Sequence, residues 1–283
     1  MVELGFSLQA KYDCPNDQVI SLLKEAGLAA ISPVWTPDLP LEQLAAAAQA
    51  HGMTIQSLHA PHGDKSCLWN PQDPRSRQIE ENIKRSIDAC AQFQIPVTVL
   101  HGWEGFFYTF REETLDFSVF DRIVEHAGQL GVSIALENLE GEEFLNALMT
   151  RYSHLPHIGF CWDTGHDHCY PHKMDFLEAF GQRLIMTHIN DNFGLRAPDG
   201  TPNGDDDLHF LPYDGNIQWE HTIGRMKGLP RQKILNFEIK QRSFSTAARD
   251  LIYTDLAPEA FFQLAGQRAR QIATLYEQVM ATE

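Results

Sequence analysis

Along the 283-residue chain, short apolar or β-branched runs alternate with longer segments in which apolar positions recur every three or four residues. The short runs predict eight strands, at 4–8, 29–34, 54–60, 97–102, 133–137, 158–163, 184–189 and 233–239. Between them the periodicity predicts amphipathic helices at 17–26, 41–51, 76–92, 120–131 and 175–182, several ending near a glycine suited to a C-cap. The strings KEAGLAAISPV, AQAHGMTIQSLHA and EHAGQLGVSIALEN each read as helix, glycine, strand. Strand–helix units in series require parallel strands with right-handed crossovers, and eight of them close into an α/β (β/α)8 TIM barrel, a single domain over residues 1–283. An open doubly wound sheet is the competing arrangement, and the lack of a GxGxxG after the first strand counts against it.

Two connections are long. The one between 189 and 233 is rich in Asp, Gly and Pro and holds one helix around 219–227, and loops of this length are usually functional or disordered. The other, after Gly102, reads WEGFFYTFREE. Its aromatics suit a lid, a subunit contact in a homo-oligomer or a sugar-stacking shelf, and equally a satellite core packed under the loop.

Composition narrows the function classes. With 43% hydrophobic and 21% charged residues the chain is an ordinary globule with ample material for a core. Its 22 Lys+Arg against 38 Asp+Glu leave a net charge of −16, which argues against a nucleic-acid partner. The five cysteines form no CxxC pair and no complete disulfide framework, which fits a reducing cytoplasm. The N-terminus carries acids where a secretory signal has basic residues, and no run approaches the roughly 20 apolar residues of a membrane span.

The chemistry gathers at the strand ends. The third strand ends SLHAPHGD with His59, the fourth VLHGW with His101, the fifth IALENLE with Glu137 and the sixth FCWDTGH with Asp163 and His166. The seventh ends MTHINDN with His188 and the eighth NFEIK with Glu238. In a barrel these ends share one face, where such enzymes place their sites. Any one of these side chains has a plain structural explanation, but six consecutive ends do not, because buried charges are paired or bind metals. Mixed carboxylate and imidazole donors suit Mn²⁺, Fe²⁺, Co²⁺ or Zn²⁺, and the scattered cysteines exclude a thiolate zinc site. Glu137, Asp163, His188 and Glu238 make the most coherent ligand set, leaving His59, His101 and His166 for substrate or for further metals.

The strings SLHAPHG, ALENLEG, CWDTGH, THINDN, DDDLHFLPYDGNIQW and NFEIK also carry a resemblance. In order and type they resemble the xylose isomerase-like TIM barrels, the sugar phosphate isomerase/epimerase group that shares its fold with endonuclease IV. The resemblance implies one divalent metal, Mn²⁺ foremost, held by Glu137, Asp163, His188 and Glu238, with the two glutamates moving a proton. It implies that His166 contacts substrate oxygens. The family's arginine after the seventh-strand histidine has no match at the usual spacing, and Arg196 is the nearest substitute. Trp103, Trp69 and Phe107 are candidate stacking residues for a sugar face.

The expected function is thus a metal-dependent isomerase or epimerase of a small sugar or related hydroxy-carbonyl compound, working through an enediolate. A metal-assisted dehydratase uses the same parts, and a non-catalytic sugar-binding barrel would keep only the metal. The endonuclease branch, with three zinc ions, is traceable through His59, His101, Glu137, Asp163, His166, His188, Asp207, His209 and Glu238. Against it stand the few basic residues and the many acids, among them Glu104, Glu140, Glu142, Asp205 and Asp206, in the loops of the presumed active face.

Overall fold

The structure, a computed structural model, describes residues 1–8, 12, 14–63, 65–242 and 250–282. Its parallel strands are β1 (Glu3–Leu8), β2 (Ala30–Pro33), β3 (Thr54–Ile55), β4 (Ser57–His59), β5 (Val97–His101), β6 (Ser133–Glu137), β7 (Ile158–Asp163), β8 (Leu184–His188) and β9 (Ile234–Phe237). They form two arcs, β3-β2-β1-β9 and β4-β5-β6-β7-β8. Parallel bridges from Val34 to His59 and from Ile189 to Phe237 join the arcs at both seams, so the sheet closes into a (β/α)8 barrel. The third barrel strand, expected as one run at 54–60, is interrupted at Gln56 because β3 pairs with β2 and β4 with β5.

Helices α1 (Asn16–Glu25), α2 (Leu41–Ala50), α3 (Ser76–Gln92), α4 (Ser118–Leu130) and α5 (Glu142–Arg151) connect successive strands. The short α6 (Thr164–Cys169) and α7 (Phe176–Phe180) lie between β7 and β8, α8 (Trp219–Gly224) precedes β9, and α9 (Pro258–Met280) closes the ring against α1 and α8. Gly131, with φ of 69°, ends α4 in the left-handed conformation that a side chain would strain. None of the described helices is long and apolar enough to cross a membrane.

Period two along the strands decides where the site falls. Leu100, Ile134, Leu136, Phe160 and Trp162 point outward into the large core shared with the helices. The alternate positions Val97, Val99, Ala135, Cys161 and Met186 form a small separate cluster inside the barrel. Continuing that inward row by one step brings up His101, Glu137, Asp163 and His188. Register holds them level: His101 pairs with Glu137 across β5 and β6, and Asp163 with His188 across β7 and β8.

Candidate metal centre

Glu137, Asp163, His188 and Glu238 are at most 3% exposed, and each offers a donor atom within 4.8 Å of the others. His188 Nδ1 lies 2.9 Å from Glu137 Oε1 and 3.2 Å from Glu238 Oε2. Asp163 is aimed by neighbours on three strand ends. Its Oδ1 caps α6 by accepting from His166 N at 2.7 Å, its Oδ2 accepts from Asn190 Nδ2 at 2.9 Å, and Asn138 brackets its backbone through two further hydrogen bonds. A Cβ at Gly165 would run into the Asn190 amide, which explains the glycine after Asp163-Thr164.

Two further groups flank this set, namely His59, His62 and His101 on one side and His166, Asp207 and His209 on the other. Backbone acceptors orient three of these rings. The Nδ1–H of His59 donates to Ala60 O at 2.7 Å, that of His166 to Asn138 O at 2.9 Å, and that of His209 to Glu238 O at 2.9 Å. A carbonyl accepts only, so in the neutral form of each of these three rings Nε2 presents a lone pair, the condition for ligating a metal. His59 Nε2 and His101 Nε2 stand 3.2 Å apart, 3.3 and 3.2 Å from Glu137 Oε2. Asp207 Oδ2 is 2.6 Å from His209 Nε2 and 3.5 Å from His166 Nε2, while its buried Oδ1 has no hydrogen-bond partner among the described residues. Converging lone pairs and an orphaned carboxylate oxygen fit divalent cations held by O and N donors.

Without a cation the centre is balanced by protons. Burial and the neighbouring Glu137 and Glu238 carboxylates push Asp163 up to about 7. Although burial acts the other way, Glu137 and Glu104 raise His101 to about 9. His166 and His188 are likewise raised against burial, by Asp163 and Asp207 in the first case and by Cys161, Glu137 and Glu238 in the second. Glu137 and Glu238 are held well below the carboxylate range by these histidines despite their burial.

Above this floor opens a cavity of about 630 Å³, walled by His59, His62, His101, Glu137, His166, Asp207, His209 and Glu238 on its polar side. His62 was not singled out in the sequence, although its spacing from His59 in HAPH is a ligand-like signal. Lys65 and Glu104 were also missed as site elements. Lys65 is 1% exposed, and its ammonium donates to Pro61 O, Gly63 O and Glu104 Oε1, the same oxygen that lies 3.0 Å from His101 Nδ1.

Two expected substrate contacts fall elsewhere. Arg196 does not line the cavity, because its guanidinium donates to Asp206 and Asp250 at 2.9 Å and also to Asp205 O. Trp103 lies flat on Phe144, with 4.2 Å between ring centroids, and Trp69 packs on Phe117, Phe120 and Phe144, so Trp69 belongs to the main core and Trp103 packs against it rather than in a satellite core. Phe107 is 92% exposed. The acidic rim is also thinner than the sequence implies. Glu104 turns in to Lys65, Glu142 accepts from the backbone of Lys173 and Met174, and Asp206 pairs with Arg196.

The fold and site define a TIM barrel whose C-terminal face gathers carboxylates and imidazoles in a candidate metal centre. The family model described as the xylose isomerase-like TIM barrel matches residues 20–259, and the chain belongs to that family. It is 27% identical to the uncharacterized protein y4fM of Sinorhizobium fredii, over 96% of this chain and 91% of the relative. Among solved structures, the IolI protein with a bound zinc atom matches with a TM-score of 0.72 at 18% identity, covering 99% of each chain. L-ribulose 3-epimerase matches with a TM-score of 0.70 at 14% identity over 99% of this chain and 98% of its own. A D-tagatose 3-epimerase-like protein gives 0.67 at 18%, over 98% and 99%.

Proposed function

We propose that the protein is a divalent-metal-dependent isomerase or epimerase acting on a small sugar or related hydroxy-carbonyl compound. One observation carries the reading: Glu137 and Glu238 reach the same His188 Nδ1 from different strands, at 2.9 and 3.2 Å, and both open onto the cavity. Glu137, Asp163, His188 and Glu238 would hold the metal, with Mn²⁺ foremost and Zn²⁺, Co²⁺ or Fe²⁺ as alternatives. The zinc in the IolI structure supports a divalent metal at this site, and the epimerases among the structural matches support the isomerase or epimerase reading. When bound, the metal supplies Lewis-acid polarisation of the substrate's carbonyl and adjacent hydroxyl. One glutamate takes the proton from the carbon beside the carbonyl and the other returns it; each such positioned group typically contributes about 10²–10⁴-fold. His166, its ring fixed by Asn138 O, points Nε2 at the cavity to meet a substrate oxygen. Deuterium incorporated from D₂O next to the carbonyl, and abolished by chelation, is the expected result; product formed without label would remove the two glutamates from proton transfer.

A second reading has its own observation. His59, His62 and His101, with His166, Asp207 and His209, provide places for two more cations around Glu137, an arrangement suited to phosphodiester hydrolysis. Elemental analysis of the purified protein separates the readings, one ion per chain favouring the isomerase and three favouring the phosphodiesterase.

A further inference from the structure

The cavity has two unlike walls. Opposite the metal-ligating side stand Leu8, Tyr12, Pro33, Val34, Leu39 and Leu44, contributed by the ends of β1 and β2 and the start of α2. The Tyr12 hydroxyl directs its hydrogen at backbone oxygens, 3.0 Å from Ser7 O and 3.3 Å from Ile239 O, so toward a ligand it offers its ring and an acceptor oxygen. Among the other described residues of that wall, Thr36 at the exposed edge is the polar exception. The other side carries Glu140 Oε2 and Asp207 Oδ1, two buried acceptors with no partner among the described residues. A ligand satisfies these only by donating, through hydroxyl hydrogens, and an anionic group set against them is repelled.

From these two walls we infer that the substrate is a neutral hydroxy-carbonyl compound with hydroxyls along one edge and a hydrocarbon flank, such as a terminally deoxygenated ketose. The inference rests on the proposed isomerase reading and deepens it. A polyol flank laid against Leu8, Val34, Leu39 and Leu44 leaves its hydroxyls out of water without partners, whereas a methyl group there is buried favourably. The Glu140 and Asp207 oxygens take hydroxyls on the opposite edge. A phosphate on the flank finds Lys240 as the lysine or arginine among the described lining residues, and Lys240 Nζ stands 4.0 Å from Asp207.

The test uses the full-length, Mn²⁺-loaded protein in D₂O with D-psicose, 6-deoxy-D-psicose and D-psicose 6-phosphate. Apparent kcat/KM for deuterium uptake beside the carbonyl should be about ten- to a hundredfold higher for the 6-deoxy compound than for the parent, with the phosphate lowest. Val34→Thr, which adds a hydroxyl at nearly constant shape, should narrow the first ratio. A parent ketose equal to or better than its 6-deoxy form overturns the hydrocarbon flank and leaves the proton-transfer reading standing. If none of the three takes up label, calorimetric Kd values for the same probes decide. The same order upholds the two-walled site while proton transfer fails, and an equal order, a reversed order or no binding overturns both.

Discussion

Asp191, three residues past the end of β8, organises the long connection that carries Asp207 and His209. Its Oδ1 accepts from Asn192 N and Ile217 N at 2.9 and 3.1 Å, and its Oδ2 from Tyr213 N and Trp219 Nε1 at 2.9 and 3.0 Å. Its backbone forms an antiparallel bridge with Phe210, next to His209, which itself sits at a φ of 50°. Asp191→Asn keeps the shape but exchanges one acceptor for a donor, so that two of the four N–H groups face another N–H in a fully buried site. Each lost bond to a charged group is worth about 1.5–3 kcal/mol, and an unsatisfied buried donor costs about 1–3 kcal/mol. Against this, burial pushes the Asp191 carboxyl up even though its N–H donors pull it down, so the neutral amide is relieved of a desolvation cost. The net expectation is about 2–4 kcal/mol of destabilisation, which for a domain of this size lowers Tm by on the order of 10 °C. Calorimetry reads the shift, and metal analysis should show the ion at the Glu137 group retained. A variant melting within about 2 °C of the parent would refute the view that this carboxylate holds the loop.

Glu137→Gln and Glu238→Gln should each remove deuterium uptake while the fold persists, checked by mass spectrometry and circular dichroism side by side. Arg196→Ala should lower stability by about 3–5 kcal/mol, because the buried Asp206 and Asp250 carboxylates lose the guanidinium they share, with little change in KM; a large KM effect at unchanged Tm would restore Arg196 to the substrate. The metal-free protein should lose stability as pH rises. His101, raised to about 9, contributes most below its ordinary 6.5 and loses that contribution through 9, and Asp163, raised to about 7, is penalised once ionised above 7. Metal affinity should rise over the same interval as cations replace these protons, so denaturation series at pH 6 and pH 9, with and without chelator, should diverge only in the chelated samples. No salt-sensitive duplex binding is expected at a net charge of −16, and filter binding at two ionic strengths checks it.

What the chain disclosed unaided follows from its periodicities. The strands expected at 133–137 and 158–163 match β6 and β7 end to end, because apolar outward residues alternate there with small inward ones. The residues of the candidate metal centre on these strands came with them, since a strand's last inward position is fixed once its register is known. Helix α9 was readable from Phe261, Phe262, Ala265, Ala269, Ile272 and Tyr276 but was not named beforehand. Loops lack such a rule. Nothing local states that Arg196 turns to Asp250, 54 residues on, rather than to the cavity, or that Glu104 turns in to a buried Lys65. Trp103 and Phe144 come from different βα units, and their stacking has no sequence period to announce it.

The charge of the centre ties the number of cations to the kind of substrate. Its metal-capable groups include four carboxylates, those of Glu137, Asp163, Glu238 and Asp207. A single dication at the Glu137 group leaves two negative charges, which an imidazolium at His101 or His166 and the ammonium of Lys240 can offset. The cavity is then near neutral, with Glu140 still present as an acceptor, and suits an uncharged hydroxy-carbonyl ligand. Three dications instead leave two positive charges and convert His59, His101, His166 and His209 into neutral ligands, an environment that attracts an anionic phosphodiester. Metal count and substrate charge should therefore change together: a one-ion protein that prefers phosphorylated ligands, or a three-ion protein that prefers neutral ones, contradicts the electrostatic account of the centre given by these residues.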